Sequence, residues 1–269
     1  MADVDRAAGR PARRPRRRRR RLSRVQERRR RFLRAGLATI GLLCLQPLAF
    51  LPLVRRWRDR LRPPGALDER AFLGACIKCG QCVQVCPVEA IALADMNEGL
   101  GTGAPFIDPR RQACDFSCDA LSCILACPTG ALSHSLAAKE EVEAGLARLV
   151  RPERCLARNG EAIRGLARGP EFPGRLRYVD VDRWNPIPVR RHPYDRDPCD
   201  LCVLECPIGD TAIAMVPFER EDGRWTTTPE VRAGCVGCGV CEMICPPDPP
   251  VIEIVPRSVL QTEIGTEEA

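Results

Sequence analysis

Residues 76–87 read Cys76-Ile77-Lys78-Cys79-Gly80-Gln81-Cys82-Val83-Gln84-Val85-Cys86-Pro87. Three cysteines stand two residues apart, a fourth follows after three more, and a proline comes directly behind it. This is the C-x2-C-x2-C-x3-C-P spacing that ligates 4Fe-4S clusters. A tight loop lets three thiolates converge on one cubane, while the fourth, on the short helix that follows, points toward a second cluster. The proline ends that helical turn and brings no backbone N–H in need of a partner.

One such run could still be a zinc knuckle, so the recurrence of the pattern matters. Residues 114–128 supply Cys114, Cys118, Cys123, Cys127 and Pro128, with the first two gaps lengthened to three and four residues. Residues 235–246 repeat the first spacing with Cys235, Cys238, Cys241, Cys245 and Pro246. Between them lies a shorter version, Cys199, Cys202, Cys206 and Pro207, whose missing first cysteine is supplied by Cys155, 44 residues upstream. Four groups of four then use sixteen of the seventeen cysteines and leave Cys44. So many cysteines would suit a disulfide scaffold in a small secreted domain, but the regular Cys-Pro endings argue against it. Zinc sites often recruit histidine, and the chain holds only His134 and His192.

With 269 residues and 4% aromatic content, the chain is expected to draw much of its cohesion from metal clusters. Its net charge of +7 is the sum of two unlike regions. Residues 1–34 carry sixteen arginines against Asp3, Asp5 and Glu27, and the remainder is net acidic. The basic region ends in Arg29-Arg30-Arg31-Phe32-Leu33-Arg34 and runs into residues 35–54, twenty residues without a charge. That length suits a signal or a membrane anchor, and the arginine pair followed by Phe-Leu has the form of a twin-arginine export signal. Export in the folded state fits a protein whose clusters are assembled in the cytoplasm. Whether the segment is cleaved or stays as an anchor is open, and Cys44 reads as a small apolar residue within it.

Residues 55–70, with Pro63, Pro64 and Gly65, read as a tether. After each Cys-Pro comes a short apolar run suited to a strand, and Pro105-Phe106-Ile107 and Trp225-Thr226-Thr227-Thr228 precede the second and fourth motifs in the same way. The expected fold class is therefore α+β: tandem two-cluster modules, residues 71–135 and 155–256, behind the signal segment. Residues 136–154 are expected to form a linker helix, with Ser135 as N-cap and Val142, Leu146 and Leu149 at helical spacing. Residues 157–198 read as a surface insertion and 257–269 as a tail.

Sequential pairing is the simplest ligand assignment. It gives Cys76, Cys79, Cys82 and Cys127 to one cluster and Cys114, Cys118, Cys123 and Cys86 to the second. It gives Cys155, Cys199, Cys202 and Cys245 to the third, and Cys235, Cys238, Cys241 and Cys206 to the fourth. A nested pairing of first with fourth and second with third motif stays open, as does a 3Fe-4S cluster or a non-cysteine ligand at the third site. The long gap after Cys155 is a weak objection, because closing 43 residues rather than seven costs only about 1.6 kcal/mol in chain entropy.

These residues resemble the NapG/MauM family of ferredoxin-type proteins. The likeness rests on the four motifs in order, on Glu98-Gly99-Leu100 through Pro109, on Cys127-Pro128-Thr129-Gly130-Ala131-Leu132 and on the Cys155-Leu156 pair. The gap between Cys114 and Cys118, the insertion after Cys155 and the arginine run depart from the family pattern. The resemblance implies four 4Fe-4S clusters in a periplasmic electron carrier. Its partners would be a quinol-oxidising membrane protein and a periplasmic redox enzyme or cytochrome, with membrane contact through residues 35–54 if these are uncleaved. Two other readings stand beside it: a tightly bound electron-transfer subunit of a larger membrane oxidoreductase, and a structural metal protein whose basic tail binds nucleic acid. No dinucleotide fingerprint, P-loop or nucleophile–base pair is present, so no catalytic residue and no nucleic-acid partner is expected.

Overall fold

The computed structural model describes residues 24–55, 59–96 and 101–267. The chain falls into two compact units, Met1–Pro52 and Leu53–Ala269. Among the described residues of the first, helix α1 (Arg24–Arg55) carries the arginine pair and runs on through the apolar segment. Phe32, Leu33, Leu37, Ile40 and Leu42 are exposed on it. Among the described residues no helix is long and apolar enough to cross a membrane. Residues 1–23 lie outside the described residues, as does the side chain of Cys44.

In the second unit both halves repeat one plan: a cluster loop, one turn of helix, and a short strand that pairs antiparallel with the strand ahead of the next motif. After the short helix α2 (Glu69–Ala75), the first loop leads into α3 (Gln81–Gln84) and β1 (Ile91–Leu93). β1 pairs with β2 (Pro105–Ile107), Ile91 opposite Ile107. α4 (Ser122–Leu125) follows the second loop. In the other half α6 (Leu201–Leu204) leads to β8 (Ile213–Glu219). β8 pairs with β9 (Trp225–Val231), Ile213 opposite Val231 and Glu219 opposite Trp225. α7 (Val240–Ile244) precedes β10 (Ile252–Pro256), and the closing helix α8 (Arg257–Glu267) follows.

Two expectations are corrected here. Residues 136–154 hold no linker helix. 3-10 turns cover Lys139–Glu141 and Pro152–Arg154, and between them Gly145–Leu149 forms β3, which pairs antiparallel with β10, Leu149 opposite Ile252. A glycine within a helix costs about 1 kcal/mol relative to alanine. As a strand, Gly145 lies against the backbone of Val255 and faces Gly237, an approach that a side chain would block. The ladder offered by β10 outweighs the weak local helical spacing.

The insertion is no bare surface loop either. α5 (Leu156–Asn159) starts it; β4 (Ile163–Gly165) pairs with β7 (Tyr194–Arg196), and β5 (Arg175–Leu176) with β6 (Ile187–Pro188). Phe172, Leu176, Tyr178, Val189 and Tyr194 are buried against Leu201, Val240, Met243 and Ile244. The aromatic residues thus build a core of their own, and Trp184 stays exposed.

Two further cores lie around the cysteines. One gathers Phe72, Ile124, Leu132 and Val142 with Cys82 and Cys123. The other gathers Ile213, Val251 and Ile252 with Cys155, Cys241 and Cys245. Each full burial of such an aliphatic side chain contributes about 1.5–3 kcal/mol, so the thiols and the hydrophobic interior are one construction.

Candidate iron–sulfur sites

Left-handed backbone shapes the cluster loops. Lys78 and Gly80 flank Cys79 with φ of 58° and 74°, and Gly237 and Gly239 flank Cys238 with φ of 70° and 91°. Phe116, Asp119 and Leu121 supply the equivalent turns in the longer second loop. Such alternation turns successive N–H groups inward, the arrangement that receives anionic groups, iron–sulfur clusters among them. Each loop then runs into one turn of helix, whose side the third cysteine occupies.

The fourth cysteine of each motif sits just beyond its helix, and backbone N–H groups that follow the proline point back at its sulfur. Ala90 donates to Cys86 Sγ at 3.3 Å, Leu132 to Cys127 Sγ at 3.4 Å and Val251 to Cys245 Sγ at 3.4 Å. At Cys127 burial raises the thiol pKa, but the N–H groups of Leu132, Thr129 and Ala131 and the Thr129 hydroxyl outweigh it and leave the thiol below its ordinary value.

All sixteen cysteines of the four motifs are free thiols. Cys76, Cys79, Cys82 and Cys127 line one small cavity together with Phe72 and Leu132. Burial, then the neighbouring Cys76 and Cys79, push Cys82 up to about 11. Burial, then Cys118 and Cys86, push Cys123 up to about 12, and Cys123 in turn acts on Cys114. Cys206, Cys235, Cys238 and Cys241 line another small cavity. Cys238 there is pushed up to about 12, by burial first.

Cys199 is raised to about 11 by burial, with Cys155 and Cys245 adding to the effect, and Cys202 is raised further in the same company. The fold brings Cys155 to this group in spite of the 43 intervening residues. The β4–β7 pair zips the two ends of the insertion together, and the Cys199 N–H donates to the Glu161 carbonyl at 3.1 Å.

Desolvated thiols facing other thiols resist ionisation, and only a nearby positive charge makes the thiolates favourable. Iron supplies that charge, and a coordinating thiol is deprotonated outright. The donor set, all sulfur, buried or half-buried except at Cys79, with backbone donors aimed at Cys86, Cys127 and Cys245, therefore fits 4Fe-4S clusters. Among the described residues no three His, Cys, Asp or Glu side chains close on a single-ion site. In a cubane each cysteine takes a different iron, so its thiolates need not meet at one point.

Sequence reasoning missed two arginines beside these sites. Arg110 donates to the carbonyls of Glu242 and Cys245 at 2.8 Å each and of Pro247 at 2.6 Å. Arg168 donates to the Met243 carbonyl at 2.9 Å and stacks over the Phe172 ring. They hold the otherwise unpaired carbonyls at the end of α7, where cations are favoured. The carbonyls they hold at the end of α7 lie more than 70 residues away in the chain, so no local pattern marks them. His134 and His192 are not among the cysteine groups: His134 Nε2 lies 3.0 Å from the Cys127 carbonyl, and His192 stacks on Tyr178.

Paired short strands that carry cysteine cluster loops define a ferredoxin-type iron–sulfur protein of mixed α and β structure. A 4Fe-4S dicluster domain matches residues 75–131, and a 4Fe-4S binding domain matches residues 232–248. The ferredoxin-type protein NapG of Escherichia coli K12 is 34% identical over 255 residues, which cover 90% of this chain and 92% of that protein. The methylamine utilization ferredoxin-type protein MauM of Paracoccus denitrificans is 33% identical over 225 residues, covering 82% and 84%. NapG of Haemophilus influenzae is 32% identical over 248 residues, covering 88% and 75%. The chain belongs to the NapG/MauM family of ferredoxin-type 4Fe-4S electron-transfer proteins. No solved structure matches it.

Proposed function

We propose that this chain is a periplasmic electron carrier holding four 4Fe-4S clusters in the sequential grouping. It takes electrons from a quinol-oxidising membrane partner and passes them to a periplasmic redox enzyme or cytochrome. The observation that carries the reading is the neighbourhood of Cys155. Cys155 shares a core with Cys245, against which Cys202 packs, and the β4–β7 pair with the Cys199–Glu161 hydrogen bond brings Cys199 back to it; each of four groups then has four thiols, and none needs a ligand from elsewhere. When bound, each cluster supplies one-electron chemistry at a potential that the protein sets within a wide range, roughly −700 to +450 mV.

The chain's own residues act as tuners and insulators. Cys86, Cys127 and Cys245 accept N–H donors that stabilise added negative charge, and Arg110 and Arg168 place positive charge beside the third group. Phe72, Ile124, Val240 and Met243 keep water out. The names of the relatives place NapG and MauM among ferredoxin-type proteins, and MauM in methylamine utilization; the partner classes proposed here extend that company to this chain. The twin-arginine form of residues 29–34 supports export.

Iron and acid-labile sulfide per chain, measured on anaerobically purified protein, test the proposal together with low-temperature EPR before and after dithionite. About sixteen irons, four for each of four clusters, with signals appearing on reduction, are expected. About fifteen irons with a signal in the oxidised state would put a three-iron cluster at the third site. Zinc without sulfide would sink the carrier reading.

A further inference from the structure

The two halves of the cysteine-bearing unit meet where the second cluster loop lies against the fourth. The Cys114 N–H donates to the Cys238 carbonyl at 3.2 Å, so a cysteine of the second group touches a cysteine of the fourth through the backbone. One residue earlier, the Ala113 N–H points at Met243 Sδ, 3.1 Å away. Gly239 has no side chain where one would crowd the partner loop: a Cβ there would stand 2.5 Å from Pro109 Cβ and 3.5 Å from Ala113 Cβ. The Arg110 guanidinium bridges the same seam to Glu242, Cys245 and Pro247. Evidently the second and fourth loops are built to touch.

Within each half a second contact joins the two groups. α3 packs on α4, and Cys82 of the first group shares a core with Cys123 of the second. α6 packs on α7, and Cys202 of the third group lies against the core that holds Cys241 of the fourth. The first and third groups hold the remaining ends. At the first, Cys79 is exposed with Ile77 exposed beside it. At the third, Cys155 and Cys245 are buried, and the insertion's β4–β7 pair ends just ahead of Cys199.

We propose that the Cys114–Cys238 junction joins the two modules into one unbranched electron path whose order is first, second, fourth, third group, not the order in sequence. The proposal rests on the carrier reading above. One electron at a time moves from a reduced site to its oxidised neighbour; no bond forms or breaks and no proton moves. A one-electron donor supplies it at one end of the path, and a one-electron acceptor removes it at the other. The exposed edge at Cys79 and Ile77 is then one port, and the second and fourth groups relay the electron between the two ends.

The test uses full-length holoprotein, reduced anaerobically with dithionite and examined by low-temperature and pulsed dipolar EPR. In the wild type, three nearest-neighbour spin interactions are expected; only two, with each module magnetically independent of the other, would overturn the path. Cys118→Ala removes a ligand of the second group. It should leave the first site's signal uncoupled while the third and fourth remain coupled. Cys235→Ala in the fourth group should isolate the third site and leave the first and second coupled.

A first site that stays coupled after loss of the second contradicts the order. Iron and sulfide counts on the same samples separate the two failures. A chain without sulfide defeats the carrier reading itself, whereas sixteen irons with two couplings defeat only the path. The wild-type measurement decides the matter even where a variant fails to load.

Discussion

Arg62 shows at a single residue how the first module is held. Its guanidinium is buried under the Phe72 ring and donates through Nε and Nη2 to the Glu69 carboxylate at 2.9 and 2.5 Å. Through Nη1 it donates to the Pro105 carbonyl at 2.9 Å. One side chain thus ties the tether, α2 and β2 together beside the first cluster loop. Arg62→Ala would leave the Glu69 carboxylate, 12% exposed, without its partner. Breaking a buried pair from one side costs about 3–5 kcal/mol, and denaturant unfolding of the holoprotein should show a loss of that size. Cys155 makes a second prediction. Cys155→Ala should lower iron from about sixteen to about twelve per chain, the loss of one 4Fe-4S cluster, whereas Cys44→Ala should leave the count unchanged; metal analysis reads both. An unchanged count in Cys155→Ala would mean that the third site takes its fourth ligand elsewhere.

Among the elements, the β3–β10 ladder and the fourth cluster loop depend on each other through two glycines. Gly237 has φ +70°, and a Cβ on it would run into the Gly145 backbone. Gly237→Ala therefore combines the left-handed penalty, about 1–2 kcal/mol, with overpacking of about 1–3 kcal/mol. Gly130 has φ +69° and nothing within 4 Å of the same position, so Gly130→Ala should show only the first part. Thermal unfolding of the two holoproteins checks the ranking, which fails if the two lose equal stability. The export proposed for residues 29–34 makes a separate prediction. Replacing Arg29 and Arg30 together by lysine should trap the chain in the cytoplasm, and cell fractionation would show it there with its clusters assembled.

At the scale of the molecule, two of the three cores have cluster cysteines among their buried members, and the insertion core packs against Cys199 and Cys238. Strands of two to seven residues in two-stranded sheets bury too little apolar surface to stand alone. Stripping iron with a chelator under mild oxidation should therefore abolish cooperative unfolding and expose apolar surface, because cluster binding is part of the folding free energy, as in other metal-folded domains. Near-UV circular dichroism and binding of a hydrophobic dye would register the change. A native near-UV spectrum in iron-free protein would show that the side chains hold the fold without metal.

The sequence by itself determined the chemistry: cysteine spacing and the proline behind each fourth cysteine are local, and so are the turns they demand. The strands at Ile91–Leu93, Pro105–Ile107 and Trp225–Val231 were legible for the same reason, each a short apolar or β-branched run beside a turn. Only the tertiary structure decided what depends on distant partners. Gly145–Leu149 became a strand because β10, about a hundred residues later, offers a ladder. Tyr178 and Tyr194 became core because α6 and α7 present Leu201, Val240 and Met243 to them. Cys155 reached Cys199 through a β4–β7 pair that no spacing rule contains, and Cys114 met Cys238 because Gly239, with no side chain, leaves room for Pro109 and Ala113 of the second loop. Ligand type is a property of residues, while which cysteines come together follows from long-range packing.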